Sequence, residues 1–499
     1  MMVSLLLIIP LAAAFLTALA GKLYKGLAEA LAVAASFGLF AVSLFLAITM
    51  STGKVPVVIY NVGGWLPPAG IPMVVDGLSA LMLVTMNFVG FMVAIYAVGY
   101  MKKYTDTWKF FTLFTLMLAG INGVLAAGDI FNLYVFLEIA AISGYFLVAF
   151  GTQADELEAA FKYAVMGTVA SAFIFLGIAF LYSYTSTLNM AGMASAIAAN
   201  GNSAKVVKFA AVLFLAGFGL KAALAPFHSW LPYAHSSAPA PVSAMLSGVV
   251  IKVLGVYALT RIFFNVFGMT TELSIILIAL ALLSMIGASI LAFGQSDIKR
   301  LFAYSSISQI GYIALGLGVG TPLAIFGALF HLVNHSVFKS LLFMNSGAIE
   351  RITGTRDLNK ISGVVSASPV TGYTGLVGAF SICGVPPLGG FWSKLIIILA
   401  CILAGHPVLA FIAVAVSVMT LAYYFKALSP AFFGQRPAPA ASRGRISPSM
   451  AVAMVILAVV SMAGFIVLLP NPANALIKGA AAVVLGGREY AAIVMGNLR

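Results

Sequence analysis

The chain has 499 residues, 62% of them hydrophobic and only 8% charged, with a mean hydropathy of +1.11 and a formal net charge of +13. Apolar runs of about twenty residues recur from end to end, the length a helix needs to span the hydrocarbon layer, which excludes a soluble globular protein. A β-barrel is excluded as well, because its strands alternate apolar and polar residues whereas these runs are continuously apolar.

In chain order, the first run (about 2–20) has no positive segment ahead of it and is followed at once by a second (about 27–50), so it reads as a retained helix and not a cleaved signal. Between Lys54 and Val75, β-branched stretches split by Gly and Pro predict a small extracytoplasmic hairpin. Further spans are expected at about 76–100, 108–127, 129–151, 158–186, 205–225, 240–265, 270–293, 300–320, 321–348, 367–403 (broken), 407–433 and 448–469, about fourteen in all. Residues 187–204, rich in Ala, Ser and Asn, predict a short surface helix or loop, and Arg436 to Pro448 a flexible connector. The last thirty residues or so are too interrupted by Pro and Gly for a further span and are expected to lie on the surface.

An even number of spans places both termini on one side. Fifteen Lys and Arg residues fall in odd-numbered connections: Lys22, Lys25, Lys102, Lys103, Lys109, Lys162, Lys299, Arg300, Arg351, Arg356, Lys360, Lys426, Arg436, Arg443 and Arg445. Seven fall in even-numbered ones and the tail: Lys54, Lys205, Lys208, Arg261, Lys478, Arg488 and Arg499. The positive-inside bias therefore makes odd connections cytoplasmic and both termini extracytoplasmic. Net charge is then a topology signal plus lysines inside spans, and no nucleic-acid footprint is read into it. Cys383 and Cys401 read as small buried thiols. With no iron–sulfur spacing, dinucleotide loop or phosphate loop, no cofactor is expected and any redox chemistry belongs to other subunits.

Two segments are broken. The seventh span ends Lys221-Ala-Ala-Leu-Ala-Pro226-Phe-His228-Ser-Trp-Leu-Pro232, and the twelfth is cut by Gly384-Val-Pro386-Pro387-Leu-Gly-Gly390 just before Lys394. Proline removes backbone donors and frees carbonyls that lipid cannot satisfy, so these breaks belong beside protein or a water-filled cavity. They lie five spans apart, and a repeat of five helices inserts its second copy upside down. The organisation expected is an all-α polytopic membrane protein with inverted repeats over spans 4–8 and 9–13. The boundaries drawn are 1–107 for a three-helix segment with the hairpin, 108–265 and 266–433 for the repeats, and 434–499 for linker, last helix and tail.

Charge inside the spans carries the chemistry. Glu138 lies about 13 Å of helix beyond Asp129, near the middle of a bilayer, and Lys221, Lys252 and Lys394 sit at comparable depth. Each such charge costs roughly 2.5–3.5 kcal/mol on insertion scales, on the order of 10 kcal/mol for the four. Pairing of Glu138 with Lys221 explains this only weakly, since a hydrophobic replacement is often as stable. Burial disfavours a charged lysine and a close carboxylate favours it, so opening or closing the pair would switch Lys221 between holding and releasing its proton. His331, His335 and Lys339 follow at i, i+4 and i+8, along one helix face over about 12 Å. They read as a hydrated relay, against satisfied core histidines and a lysine snorkelling to the cytoplasmic surface. A zinc site lacks a Glu after His331 and a third ligand, so no metal is expected. His228 and His235 flank the first break, to take up a proton or to cap freed carbonyls. With Lys339 and Asp129, His228 completes the candidates for proton uptake or relay. Asp297-Ile-Lys-Arg300 reads as a solvated helix-end cluster.

These segments resemble the antiporter-like subunits shared by Mrp multisubunit cation/proton antiporters, respiratory complex I and membrane-bound energy-converting hydrogenases, over about residues 70–430. The motifs are the Glu138 run, Lys221 to Pro232 continuing through Ala238–Ala244 to Lys252, Gln295 to Tyr312, His331 to Lys339, and Gly384 to Lys394. The resemblance implies fourteen helices with two inverted five-helix repeats. Glu138 matches the family's glutamate on the fifth helix, Lys221 its partner on the broken seventh, and Lys252 the bridging lysine of the eighth. His331 and His335 lie in the family's central histidine region, and Lys394 matches the terminal titratable residue of the broken twelfth. Lysine there, where some members have glutamate, looks more like the D-type Mrp subunit and some hydrogenase relatives. The residues after the last span leave no room for the long lateral helix of the largest complex I member. The implied function is movement of protons, coupled to sodium, along a mid-membrane Glu/Lys/His chain in a prokaryotic cytoplasmic membrane, among further antiporter-like subunits. Rival readings are a structural subunit whose ion pairs only fix helix register, and a quinone-linked oxidoreductase subunit, for which the chain offers no cofactor ligands.

Overall fold

The computed structural model describes residues 2–24, 26–53, 55–67, 70–200, 204–434 and 445–497. Lys25, Lys54, Arg436, Arg443 and Arg499 of the charge tally, and the expected connector as far as residue 444, lie outside the described residues.

Capping chemistry sets where the helices begin. Asp76, Asp129 and Asp297 accept hydrogen bonds from the backbone N–H groups of Ser79 (2.9 Å), Asn132 (2.8 Å) and Arg300 (2.9 Å), donors that have no partner inside the first turn. Proline at the first helical position opens the helices at Pro322, Pro369, Pro407 and Pro448. Gly320 and Gly354, both at positive φ, close two of them.

α1 (Met2–Ala20) and α2 (Leu27–Ser51) precede an antiparallel hairpin of β1 (Val57–Asn61) and β2 (Pro72–Asp76), with Val57 opposite Asp76. The chain continues through α3 (Gly77–Tyr100), α4 (Thr107–Ala126), α5 (Ile130–Val148) and α6 (Ala154–Thr185). A short α7 (Met190–Asn200) leads to α8 (Lys205–Lys221), α9 (Trp230–Ser237) and α10 (Ala240–Val266). There follow α11 (Thr271–Phe293), α12 (Ile298–Val319), α13 (Pro322–Thr353), α14 (Pro369–Cys383), α15 (Gly389–Leu403), α16 (Pro407–Phe433) and α17 (Pro448–Leu468). Two tail helices, α18 (Pro472–Leu485) and α19 (Glu489–Gly496), end the described chain.

Among the described residues, twelve helices are long and apolar enough to cross a membrane, and the protein is a multi-pass helical membrane protein. The other two expected spans are the broken ones. α8 has 17 residues, and α14 and α15 have 15 each on either side of the Gly384–Leu388 interruption. The peptide bonds Ala225–Pro226 and Pro386–Pro387 are cis.

α10 is buried along its whole length, and α12 and α13 almost so, which puts the core around these three. The outer helices turn apolar side chains such as Phe37, Phe146, Phe411 and Phe425 outward, the surface a hydrocarbon solvent accepts. α10 is wound as a π-helix over Leu246–Tyr257 and again over Arg261–Val266. The tail departs from expectation. α18 does not simply lie on the surface but packs on α3 and α13, burying Leu476, Ile477 and Ala480, because its apolar residues recur at helical spacing.

Two details recur at one sequence spacing. Asp129, capping α5, bridges Asn189 beyond α6, and Asp297, capping α12, bridges Asp357 beyond α13. Both partners of the second bridge lie 168 residues on from those of the first. The 32-residue helices α6 and α13 are offset by the same 168.

Candidate functional site

Lys221 is the last residue of α8 and is 5% exposed, held where the helix stops. Its Nζ stands 3.8 Å from Glu138 Oε1 on α5 and 3.4 Å from Tyr145 Oη. Glu138 keeps 24% of its side chain exposed and accepts a hydrogen bond from Ser171 Oγ of α6. Beside the pair, the Tyr145, Tyr163 and Trp230 rings pack in sequence, edge-on at 4.6 Å and stacked at 4.4 Å. Trp230 Nε1 donates to Leu220 O at 3.1 Å, a carbonyl at the break that also accepts from Ala223 N, and Ala225 N donates to Ser284 Oγ at 2.8 Å. Protein groups thus satisfy the broken backbone, as lipid could not.

Lys252 lies wholly buried in α10, its Nζ donating to Ser247 O, and Ser247 Oγ meets Ser306 Oγ of α12 at 2.8 Å. α10 comes this close to the end of α8 because Gly255 faces Ala222, where a Cβ would overlap the neighbouring backbone.

In the second half, the rings of His335 and His331 lie nearly parallel, 3° apart with centroids at 6.1 Å. His331 Nδ1 pairs with Ser393 Oγ at 2.9 Å and Nε2 with Gln309 Oε1 at 3.2 Å. Among the described residues, neither nitrogen of His335 has a hydrogen-bond partner. Lys394, next to Ser393, donates to Ile382 O at 2.7 Å, just ahead of the second break, and its Nζ sits 5.1 Å from the Tyr312 ring centre. Lys339 shares the helix of the two histidines and does not snorkel. It is fully buried, donating to Phe302 O at 2.6 Å and Ser305 Oγ at 2.5 Å.

The remaining candidates are less connected. His228 is half-buried, with no partner for Nδ1 among the described residues. His235 is buried and stacks on Phe343 at 4.7 Å without capping any freed carbonyl among the described residues. Asp129 is tied to the start of α5. Burial raises its carboxyl while N–H groups of Asn132 and Phe131 pull the other way. Pro226, Pro386 and Pro387 all lie in the breaks. No group of three or more His, Cys, Asp or Glu among the described residues is placed to hold a metal ion.

Two cations sit elsewhere than sequence reasoning puts them. Lys299 is not solvated at its helix end but buried, donating to Ala238 O at 2.8 Å. Arg261 is not a loop residue but lies buried in α10, paired with Asp76 at 2.7 Å. Tyr145, Ser171, Gln309 and Ser393 join the site without having stood out from the sequence. Ser393, adjoining Lys394, and Gln309, inside the 295–312 motif, have the nearest signals.

The family described as NADH:quinone oxidoreductase/Mrp antiporter, transmembrane region, matches residues 127–420, and NADH-ubiquinone oxidoreductase (complex I), chain 5 N-terminus, matches 65–111. The chain belongs to this antiporter-like subunit family. It is 40% identical over 394 residues to the N subunit of NADH-quinone oxidoreductase from Desulforudis audaxviator, covering 78% of each chain. To the D-type subunit of the Na+/H+ antiporter from Alkalihalophilus pseudofirmus it is 36% identical over 403 residues, 80% of each chain. A chain of the Mrp complex from Dietzia sp. superposes with a TM-score of 0.90 at 28% identity, and one of the membrane-bound sulfane sulfur reductase, an archaeal respiratory membrane complex, with 0.90 at 32%, each over 99% of both chains. Both of those chains come from complexes. The matched stretch 127–420 contains every one of Glu138, Lys221, Lys252, His331, His335 and Lys394.

Proposed function

We propose that this antiporter-like subunit moves protons along a hydrated line through Glu138, Lys221, Lys252, His335, His331 and Lys394, coupled to sodium within its complex. Support comes from one observation above all: titratable groups inside the spans stand beside side chains able to pass or accept a proton. Ser171 donates to Glu138, Lys252 donates to the Ser247 carbonyl beside the Ser247–Ser306 hydroxyl pair, and Gln309 and Ser393 flank His331. A group kept only to fix helix register is expected to be fully hydrogen-bonded, whereas His335 offers two buried nitrogens without a protein partner among the described residues. Water in contact with those nitrogens would complete the line.

The same reading takes spans 4–8 and 9–13 as inverted repeats within the boundaries 108–265 and 266–433. The shared 168-residue offset of bridges and long helices supports it. α8 and the α14–α15 pair would then cross the bilayer as interrupted spans, with both termini outside a prokaryotic cytoplasmic membrane.

The deciding experiment is Glu138→Gln in the whole complex reconstituted in vesicles, with proton uptake followed by a pH-sensitive dye. Transport is expected to fall at least tenfold while the complex stays intact. Full transport in that variant, and in Lys221→Met with Glu138→Leu, would instead support a purely structural role.

A further inference from the structure

At the hairpin end of the molecule lies a second polar cluster that the line above does not use. The Arg261 guanidinium takes both oxygens of Asp76, at 2.7 and 2.8 Å. It also reaches Ser79 Oγ at 3.1 Å and Tyr257 Oη at 3.4 Å, with the Tyr490 ring of the tail 4.9 Å away. Ser79 Oγ and Tyr257 Oη are 3.0 Å from one another, and the Ser79 hydroxyl is also within hydrogen-bonding reach of Asp76. Asp76 and Tyr490 line a cavity of about 340 Å³ between the end of α2, the base of the hairpin and the tail helices, with Gly479, Ala482 and Glu489 on its wall. One water needs only about 10–15 Å³ of such space, so the cavity has room for several beside Asp76 and Glu489.

The winding of α10 sets this cluster on the same helix face as the buried lysine, whose Nζ donates to Ser247 O. Tyr257 lies five residues beyond Lys252 within the π-helical stretch Leu246–Tyr257, whose i→i+5 hydrogen bonds set residues five apart above one another. In an α-helix the neighbours on one face are three and four apart, and Tyr257 would turn away.

We propose that Tyr257, Ser79 and Asp76 form the outer port of the Lys252 site, a hydroxyl chain opening into a water-filled mouth between hairpin and tail. It rests on the proton-translocation reading, which by itself assigns no exit. A proton leaving the Lys252 ammonium reaches Tyr257 over intervening water, and the Tyr257 hydroxyl, turning from the Leu125 carbonyl to which it donates at 3.0 Å, passes its own proton to Ser79. Ser79 likewise hands its proton to the Asp76 carboxylate, which releases it to cavity water. Both hydroxyls end as they began, Lys252 is left a neutral amine, and the cavity gains one proton. Burial pushes the Asp76 carboxyl up, but Arg261 and the Ser79 hydrogen bonds outweigh it and hold the group below the usual carboxylate range. A proton therefore passes over Asp76 and does not rest there.

The test uses the whole complex in proteoliposomes. Tyr257→Phe and Ser79→Ala each remove one hydroxyl and leave the Asp76–Arg261 pair in place. Each is expected to slow proton transport at least tenfold with melting temperature and subunit composition unchanged, a separation that a merely structural role would not produce. Ala482→Cys places a thiol on the cavity wall, while the native Cys383 and Cys401 are buried. Modifying it from the hairpin side with a bulky, membrane-impermeant thiol reagent is expected to slow transport comparably. Wild-type rates in both hydroxyl variants and after complete modification overturn the port. Glu138→Gln run alongside tells the failures apart. If it stops transport while the hydroxyl variants run freely, the port alone is wrong; if it too runs freely, the translocation reading falls and the port with it.

Discussion

Glu138 owes its setting to three side chains from three helices: Lys221, Ser171 and, through Lys221, Tyr145. The serine is the one whose removal changes no charge and little volume. A hydrogen bond to a charged group contributes about 1.5–3 kcal/mol, so its loss is worth roughly tenfold or more in any step that needs Glu138 ionised. Ser171→Ala is accordingly expected to slow proton uptake by reconstituted vesicles about tenfold, with the complex purified in normal yield. Unchanged uptake would mean that the carboxylate is not ionised in the slow step. The charged members of this site are legible in the sequence because charge is rare in so apolar a chain. Ser171, Gln309 and Ser393 are not, since small polar residues are scattered through every span and only packing decides which of them face a lysine or a histidine.

The two broken helices are readable from Pro226, Pro386 and Pro387, because proline states its own effect on the backbone. The π-helical winding of α10 is not readable at all, having no residue signature, and with it goes the position of Arg261. That arginine and Asp76 are 185 residues apart and each closes or opens an expected span, where a solvated charge is the default reading. Buried together they form a bidentate pair, and removing one partner strands the other's charge at a cost of about 3–5 kcal/mol. Arg261→Met is expected to lower the unfolding midpoint of the subunit or release it from the complex. Asp76→Leu with Arg261→Met, which removes both charges, is expected to recover most of that loss by the same thermal measurement. Failure of the double variant to recover would show that the pair contributes more than charge balance, through the hydroxyls and the tail it gathers.

At the scale of the whole molecule, the orientation rests on the positive-inside bias, and that bias must survive the two corrections the fold imposes. Lys299 and Arg261 are buried and so speak neither for one side nor the other. One belonged to the odd-numbered connections and one to the even-numbered ones, so striking both out leaves the excess on the odd side unchanged. Exposed Lys102, Lys109 and Lys360 still mark that face, and by the span count it lies opposite the hairpin. Single introduced thiols read the orientation out, because Cys383 and Cys401 are buried. Thr105→Cys, in the exposed connection between α3 and α4, is expected to react with an impermeant maleimide only after right-side-out vesicles are opened. Asn497→Cys, exposed after α19, is expected to react from outside in sealed vesicles. The reverse pattern would turn the molecule over and place the Asp76 mouth on the cytoplasmic face, making it a port for proton uptake. Labelling of both thiols from one side would mean an even number of crossings between them, and the inverted repeat, which needs both broken helices to span, would lose its footing.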